Sequence, residues 1–102
     1  MDDTQSRTPE LQTLSATIRG RVQNVGFRVF ARDAAQRLEV AGYVRNHDDG
    51  SVCVLAVGAR EALESLLVAL QRGPAHARVE RVEANWLPGN PHCLYASFEV
   101  RP

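Results

Sequence analysis

The apolar residues of this chain change period across one short stretch bounded by glycines. Ahead of it, Leu14, Ala16 and Ile18 alternate with Ser15, Thr17 and Arg19, the two-residue period of a half-buried strand. Beyond it, Phe27, Ala31, Ala34 and Leu38 recur at helical spacing with Phe30 and Ala35 alongside. Arg32, Asp33, Gln36 and Arg37 take the opposite face. Between the two patterns lies Gly20-Arg21-Val22-Gln23-Asn24-Val25-Gly26, a strand-to-helix loop.

The remaining punctuation sets the order of elements. Tyr43-Val44-Arg45-Asn46-His47, just after Gly42, which ends or follows the helix, resumes strand character. Asp48-Asp49-Gly50 is a hairpin turn with a residue suited to positive φ, and residues 51–57 form the second arm. Residues 59–71 are again helical, with Leu63, Leu66, Leu67 and Leu70 on one stripe, and Gly73-Pro74 stops them. Residues 78–86 read as a strand, 88–91 as a connection, and 94–100 as a last strand in which Leu94, Ala96, Phe98 and Val100 share a face. The order β-α-β-β-α-β predicts an α+β, ferredoxin-like sandwich: an antiparallel sheet with two helices on one face, plus a short C-terminal strand. The 51–57 strand is apolar on both faces. Val52, Val54 and Ala56 line one, Cys53, Leu55 and Val57 the other, so one set is expected to meet the helices and the other to be partly covered.

With 102 residues the chain holds one domain and a modest core. Residues 1–11 are polar and aperiodic, read as a flexible N-terminal tail, and residues 12–102 as the domain. Twelve arginines and no lysine are balanced by twelve acidic residues. That neutrality argues against a nucleic-acid binder relying on a broad basic face. Cys53 and Cys93 lack any flanking ligand set, so two reduced thiols are expected rather than a metal site, a disulfide requiring close Cα atoms. The polar N-terminus has no apolar leader segment, and no apolar run is long enough to cross a bilayer. The expectation is a cytoplasmic monomer with no membrane or nucleic-acid partner.

The loop carries the chemistry. The first turn of a helix has backbone N–H donors without internal partners, and the helix dipole adds partial positive charge there. Such a junction suits an anion, phosphate above all. Arg28, just inside the helix, adds a planar fork of donors that matches a phosphoryl group. The pattern is not G-x-x-x-x-G-K-[ST], since no lysine and no Ser or Thr follows Gly26. On spacing alone, a phosphate cradle and a plain structural turn are nearly equal readings. Asn46 taken alone fits a strand residue beside a turn, and His47, His76 and His92 fit surface positions.

Linked motifs add to this. Gly20-Arg21-Val22-Gln23-Asn24-Val25-Gly26-Phe27-Arg28 resembles the acylphosphatase signature Gly-x-Val-Gln-Gly-Val-x-Phe-Arg. Gly42-Tyr43-Val44-Arg45-Asn46 with Asp49-Gly50-Ser51-Val52 is similar to a second segment of that family, and Gly73-Pro74 with Ala77-Arg78-Val79 to a third. The likeness spans residues 13–101 in the right order. It implies hydrolysis of a carboxyl phosphate, a small-molecule substrate, without metal or organic cofactor. It also implies that Arg28 binds phosphate, that Asn46 is catalytic, and that the backbone of Gln23, Asn24, Val25, Gly26, Phe27 and Arg28 cradles the phosphoryl group. Asn24 stands where the family has Gly; Asn is the non-Gly residue that best tolerates positive φ. The competing implication is an acylphosphatase-like binding or regulatory domain with weak or no activity. A ferredoxin-like RNA-binding module is disfavoured because residues 51–57 offer no aromatic on which a base could stack.

Overall fold

In the computed structural model, residues 11–87 and 97–102 are described; the expected connection at 88–91, Cys93, Leu94, Ala96 and nearly all of the expected tail lie outside them. The elements are β1 (Leu11–Arg21), α1 (Phe27–Arg37), β2 (Ala41–Asn46), β3 (Val52–Ala59), α2 (Arg60–Arg72), β4 (Arg78–Leu87) and β5 (Phe98–Arg101). They follow the order read from the sequence. β1 begins at Leu11, within the expected tail, because that residue still pairs with Ala59 of β3.

The sheet runs β4-β1-β3-β2-β5. β1 pairs antiparallel with β3 and β4, and β2 antiparallel with β3. β5 instead lies parallel to β2, matching Gly42 with Phe98 and Val44 with Val100, so the sheet is mixed rather than wholly antiparallel. Topology explains the difference. β4 occupies the free edge of β1 and ends at the same end of the sheet at which β2 begins. A strand entered from there along the opposite edge must run with β2.

The strand alternation and the helical stripes converge on one core. Leu14, Ala16 and Ile18 of β1 and Val52, Val54 and Ala56 of β3 are buried with Phe27, Ala31, Ala34 and Ala35 of α1 and Leu63, Leu66 and Leu70 of α2. Leu67 packs only partly against this cluster. Each fully buried leucine removes enough apolar area from water to stabilise the fold by roughly 1.5–3 kcal/mol. The opposite face of β3, carrying Cys53, Leu55 and Val57, remains partly accessible.

Of the two readings for Gly42, the structure supports the second: it follows α1 rather than ending it. Leu38 and Glu39 close that helix through Leu38 N–H to the Ala34 carbonyl at 3.1 Å and Val40 N–H to the Ala35 carbonyl at 2.9 Å. Glu39 takes the left-handed conformation (φ 59) at this turn. Gly42 sits inside β2, where a Cβ would stand 1.9 Å from the Leu55 carbonyl oxygen, so close strand approach and not helix termination requires it.

Candidate active site

Val22 is fully buried and pins the loop between β1 and α1 to the core. Asn24 then takes φ 64 and Gly26 φ 79. The left-handed geometry that the sequence assigned conditionally to Asn24 is therefore present. Gly26 is the N-cap of α1 and offers no side chain to the helix end, and the first turn holds no acidic residue. The first helical bond runs from Phe30 N–H to the Gly26 carbonyl at 3.0 Å. The N–H groups of the residues before Phe30 in that turn therefore have no acceptor within the helix. Phe27 secures the turn from beneath, buried and edge-on to Phe30 with ring centroids 5.9 Å apart. With Phe27 driven inward, Arg28 emerges from the first turn on the loop side.

The β2–β3 hairpin supplies the facing wall. Asn46 is the last residue of β2. Beyond it, His47 N–H donates to the Ser51 carbonyl at 2.9 Å and Gly50 N–H to the His47 carbonyl at 3.1 Å. Asp49 knots the turn: its Oδ1 accepts from Ser51 Oγ at 2.6 Å and from Ser51 N–H at 3.0 Å, and its Oδ2 from Arg19 Nη1 at 3.1 Å. His47 Nδ1 lies 3.1 Å from Asp49 Oδ1. These donors, the Ser51 hydroxyl first, hold the Asp49 carboxyl well below the usual carboxylate range. Arg19, hydrogen-bonded to Asp49 and close to Glu83, is held more firmly protonated than a free arginine.

Two bonds join these walls. Gln23 Nε2 donates to the His47 carbonyl at 2.8 Å and to the Ser51 carbonyl at 2.9 Å, strapping the loop to the hairpin. Arg28 Nη1 donates to the Arg101 carbonyl of β5 at 2.6 Å, which leaves the other nitrogens of the fork for a ligand. Between the walls is a cavity of about 120 Å³ lined by Val22, Asn24, Gly26, Phe27, Arg28, Val29, Asn46 and Val100. That is the volume of roughly four liquid waters, the scale of a phosphoryl group with one attacking water.

Of the residues singled out in the sequence, Asn24, Gly26, Phe27, Arg28 and Asn46 thus share one cavity. Gln23 and Val25 border the adjoining recess instead. His47 stays with the turn. Sequence reasoning missed the strap from the Gln23 side chain, the contribution of Val100, and the Arg101 carbonyl that orients Arg28. The last two come from a strand joined only by parallel pairing, for which no local pattern exists. The Asp49–Ser51 knot had a signal, an Asp two residues ahead of a Ser across a glycine turn. Among the described residues no three His, Cys, Asp or Glu side chains gather into a potential metal site, and no helix is long and apolar enough to cross a membrane.

Residues 14–100 match the family model described as Acylphosphatase. An acylphosphatase of Salinibacter ruber is 56% identical over 73 residues, covering 72% of this chain and 77% of that protein. The solved structure of an acylphosphatase from Coxiella burnetii superposes with a TM-score of 0.82 at 32% identity, over 90% of this chain and 94% of that one. The crystal structure of acylphosphatase from Bacillus subtilis gives 0.80 at 31% identity, over 89% and 99% of the two chains.

Proposed function

The chain belongs to the acylphosphatase family, a hydrolase of acyl phosphates, and on that premise we propose how its own residues carry out the reaction. The substrate R–CO–O–PO₃²⁻ is a mixed anhydride with a carboxylate leaving group. It needs no strong protein nucleophile, and catalysis rests on positioning and on stabilising charge on the phosphoryl oxygens. The first-turn amides of α1 and the free nitrogens of Arg28 bind those oxygens. The Asn46 carboxamide, which both accepts and donates, holds one water in line with phosphorus. Water oxygen bonds to phosphorus as the bond from phosphorus to the carboxylate oxygen breaks. The proton that water releases passes to a phosphoryl oxygen, giving RCOO⁻ and H₂PO₄⁻, so no side-chain base is required.

The observation that carries this reading is that Arg28 and Asn46, on different elements, line the same phosphate-sized cavity as the uncapped start of α1. The test is hydrolysis of benzoyl phosphate by the purified chain with a chelator present, compared with the Arg28→Ala variant. Turnover that the chelator leaves intact and the substitution abolishes supports the reading. Equal turnover by the variant refutes it.

A further inference from the structure

Arg21, the last residue of β1, stands directly opposite Arg78, the first of β4. Like charges directly opposite on antiparallel strands destabilise the pair. The neighbouring pair, Arg19 opposite Arg81, is neutralised: Glu83 accepts from Arg19 at 3.4 Å and from Arg81 at 3.1 Å, and Asp49 also pairs with Arg19. Arg21 and Arg78 are exposed, and neither has an ion-pair partner among the described residues. The register shift between Arg19 and Gly20 creates this juxtaposition. Without it, Arg21 would have faced Val79. A bulge of this kind re-aims side chains and is over-represented beside active sites.

The pair adjoins the hydrolytic cavity. Arg21 and His76 line a recess of about 470 Å³ with Gln23, Asn24 and Val25. They also line a contiguous one of about 440 Å³ with Ala77, Arg78 and Glu80. Asn24 belongs to both the first recess and the phosphate-sized cavity, whereas Asn46 lines only the latter. Asn46 therefore stands at one end of the run of recesses and the arginines at the other. In-line displacement sends the leaving carboxylate away from the attacking water, hence away from Asn46. Among the described residues Glu80 is the one carboxylate lining either recess, and it leaves the two guanidiniums in excess.

We propose that Arg21 and Arg78, with His76 beside them, form a subsite for a second anionic group, carboxylate or phosphate, on the acyl portion of the substrate. The inference rests on the acyl phosphate reading of the neighbouring cavity, and it narrows the substrate class to acyl phosphates with a charged acyl arm.

Three matched substrates test it: benzoyl phosphate, 4-carboxybenzoyl phosphate and 4-phosphonobenzoyl phosphate, with the full chain and its Arg21→Gln and Arg78→Gln variants. The wild type is expected to favour at least one of the two substrates bearing the second anionic group in kcat/KM by roughly fivefold at low salt, with added salt compressing the ratio. Either substitution returns the ratio toward one, mainly through KM, while benzoyl phosphate is hydrolysed as before. The preferred substrate identifies the anion. Competitive inhibition of the unaltered chain by 4-carboxybenzylphosphonate, tighter than by benzylphosphonate, checks the same point without any variant. Turnover of all three substrates at ratios that both substitutions leave unchanged overturns the subsite alone. No turnover of any of them overturns the hydrolytic reading and the subsite with it.

Discussion

Gln23 donates from one amide nitrogen to the main-chain carbonyl of His47 at 2.8 Å, fastening the phosphate-side loop to the hairpin that carries Asn46. The same nitrogen donates to the Ser51 carbonyl at 2.9 Å, so both N–H groups of the carboxamide are spent on the scaffold. Gln23 therefore contributes its backbone, rather than its side chain, to any anion in the loop.

Gln23→Ala removes two hydrogen bonds, while the His47 carbonyl keeps Gly50 N–H and the Ser51 carbonyl keeps His47 N–H, so the loss is about 1–2 kcal/mol. Thermal unfolding should shift down accordingly. Because the strap also spaces Asn46 from the loop, kcat should fall more than the loss of folded protein explains at a temperature where the variant is fully native. Wild-type kcat in a folded Gln23→Ala protein would show that the spacing does not depend on the strap.

Arg28→Lys keeps a positive charge but removes the planar fork, and lysine cannot satisfy the Arg101 carbonyl and a phosphoryl group together. A fall in kcat on the order of 10²-fold or more fits the loss of a principal charge-stabilising donor. Inorganic phosphate should also inhibit the variant less. Steady-state kinetics with benzoyl phosphate measures both, and retained turnover would remove Arg28 from the site.

Asn46→Ala should lower kcat while leaving inhibition by inorganic phosphate nearly unchanged, since in the proposed mechanism the amide aims water and does not grip the anion. With the proton passing to the substrate's own phosphate, kcat should be flat across neutral pH. A strong dependence that disappears in His47→Gln would instead assign a base to the turn.

Asn24→Gly places the residue that best tolerates φ 64 at a position that now carries a side chain. Activity toward benzoyl phosphate is expected to hold or rise, and thermal stability to stay within about 1 kcal/mol of wild type. A large loss of kcat/KM would reveal a role for the Asn24 amide itself.

Asp49 makes the fold sensitive to acid. Its carboxyl is held well below its ordinary value in the folded chain by Ser51, then Arg19 and His47. Unfolded, it titrates near the ordinary value of about 3.9. The folded state thus binds this proton less readily than the unfolded state. The stabilisation is complete above that unfolded value and is lost as pH falls through it toward the lower folded one. Unfolding midpoints should be level in this respect from neutrality to about pH 5 and show a descent attributable to this group from there toward pH ~2. Asp49→Asn should be less stable at neutrality and show a shallower descent; an unchanged acid slope would mean the knot is energetically silent.

The amino-acid sequence by itself determined the order and kind of the elements and the position of the loop between β1 and α1. Periods of two and 3.6 residues, a glycine turn and a Gly-Pro stop are local properties, readable wherever the chain bends on its own account. It also marked Arg28 and Asn46, although with motifs whose physical content lay in a likeness to related chains. Only the tertiary structure decided that those two side chains share a cavity, because α1 and β2 meet through packing that no local pattern encodes. It likewise decided the parallel docking of β5, which brings the Arg101 carbonyl to Arg28. The bulge that sets Arg21 against Arg78 belongs to the same class: strand register across distant residues is chosen by the whole sheet.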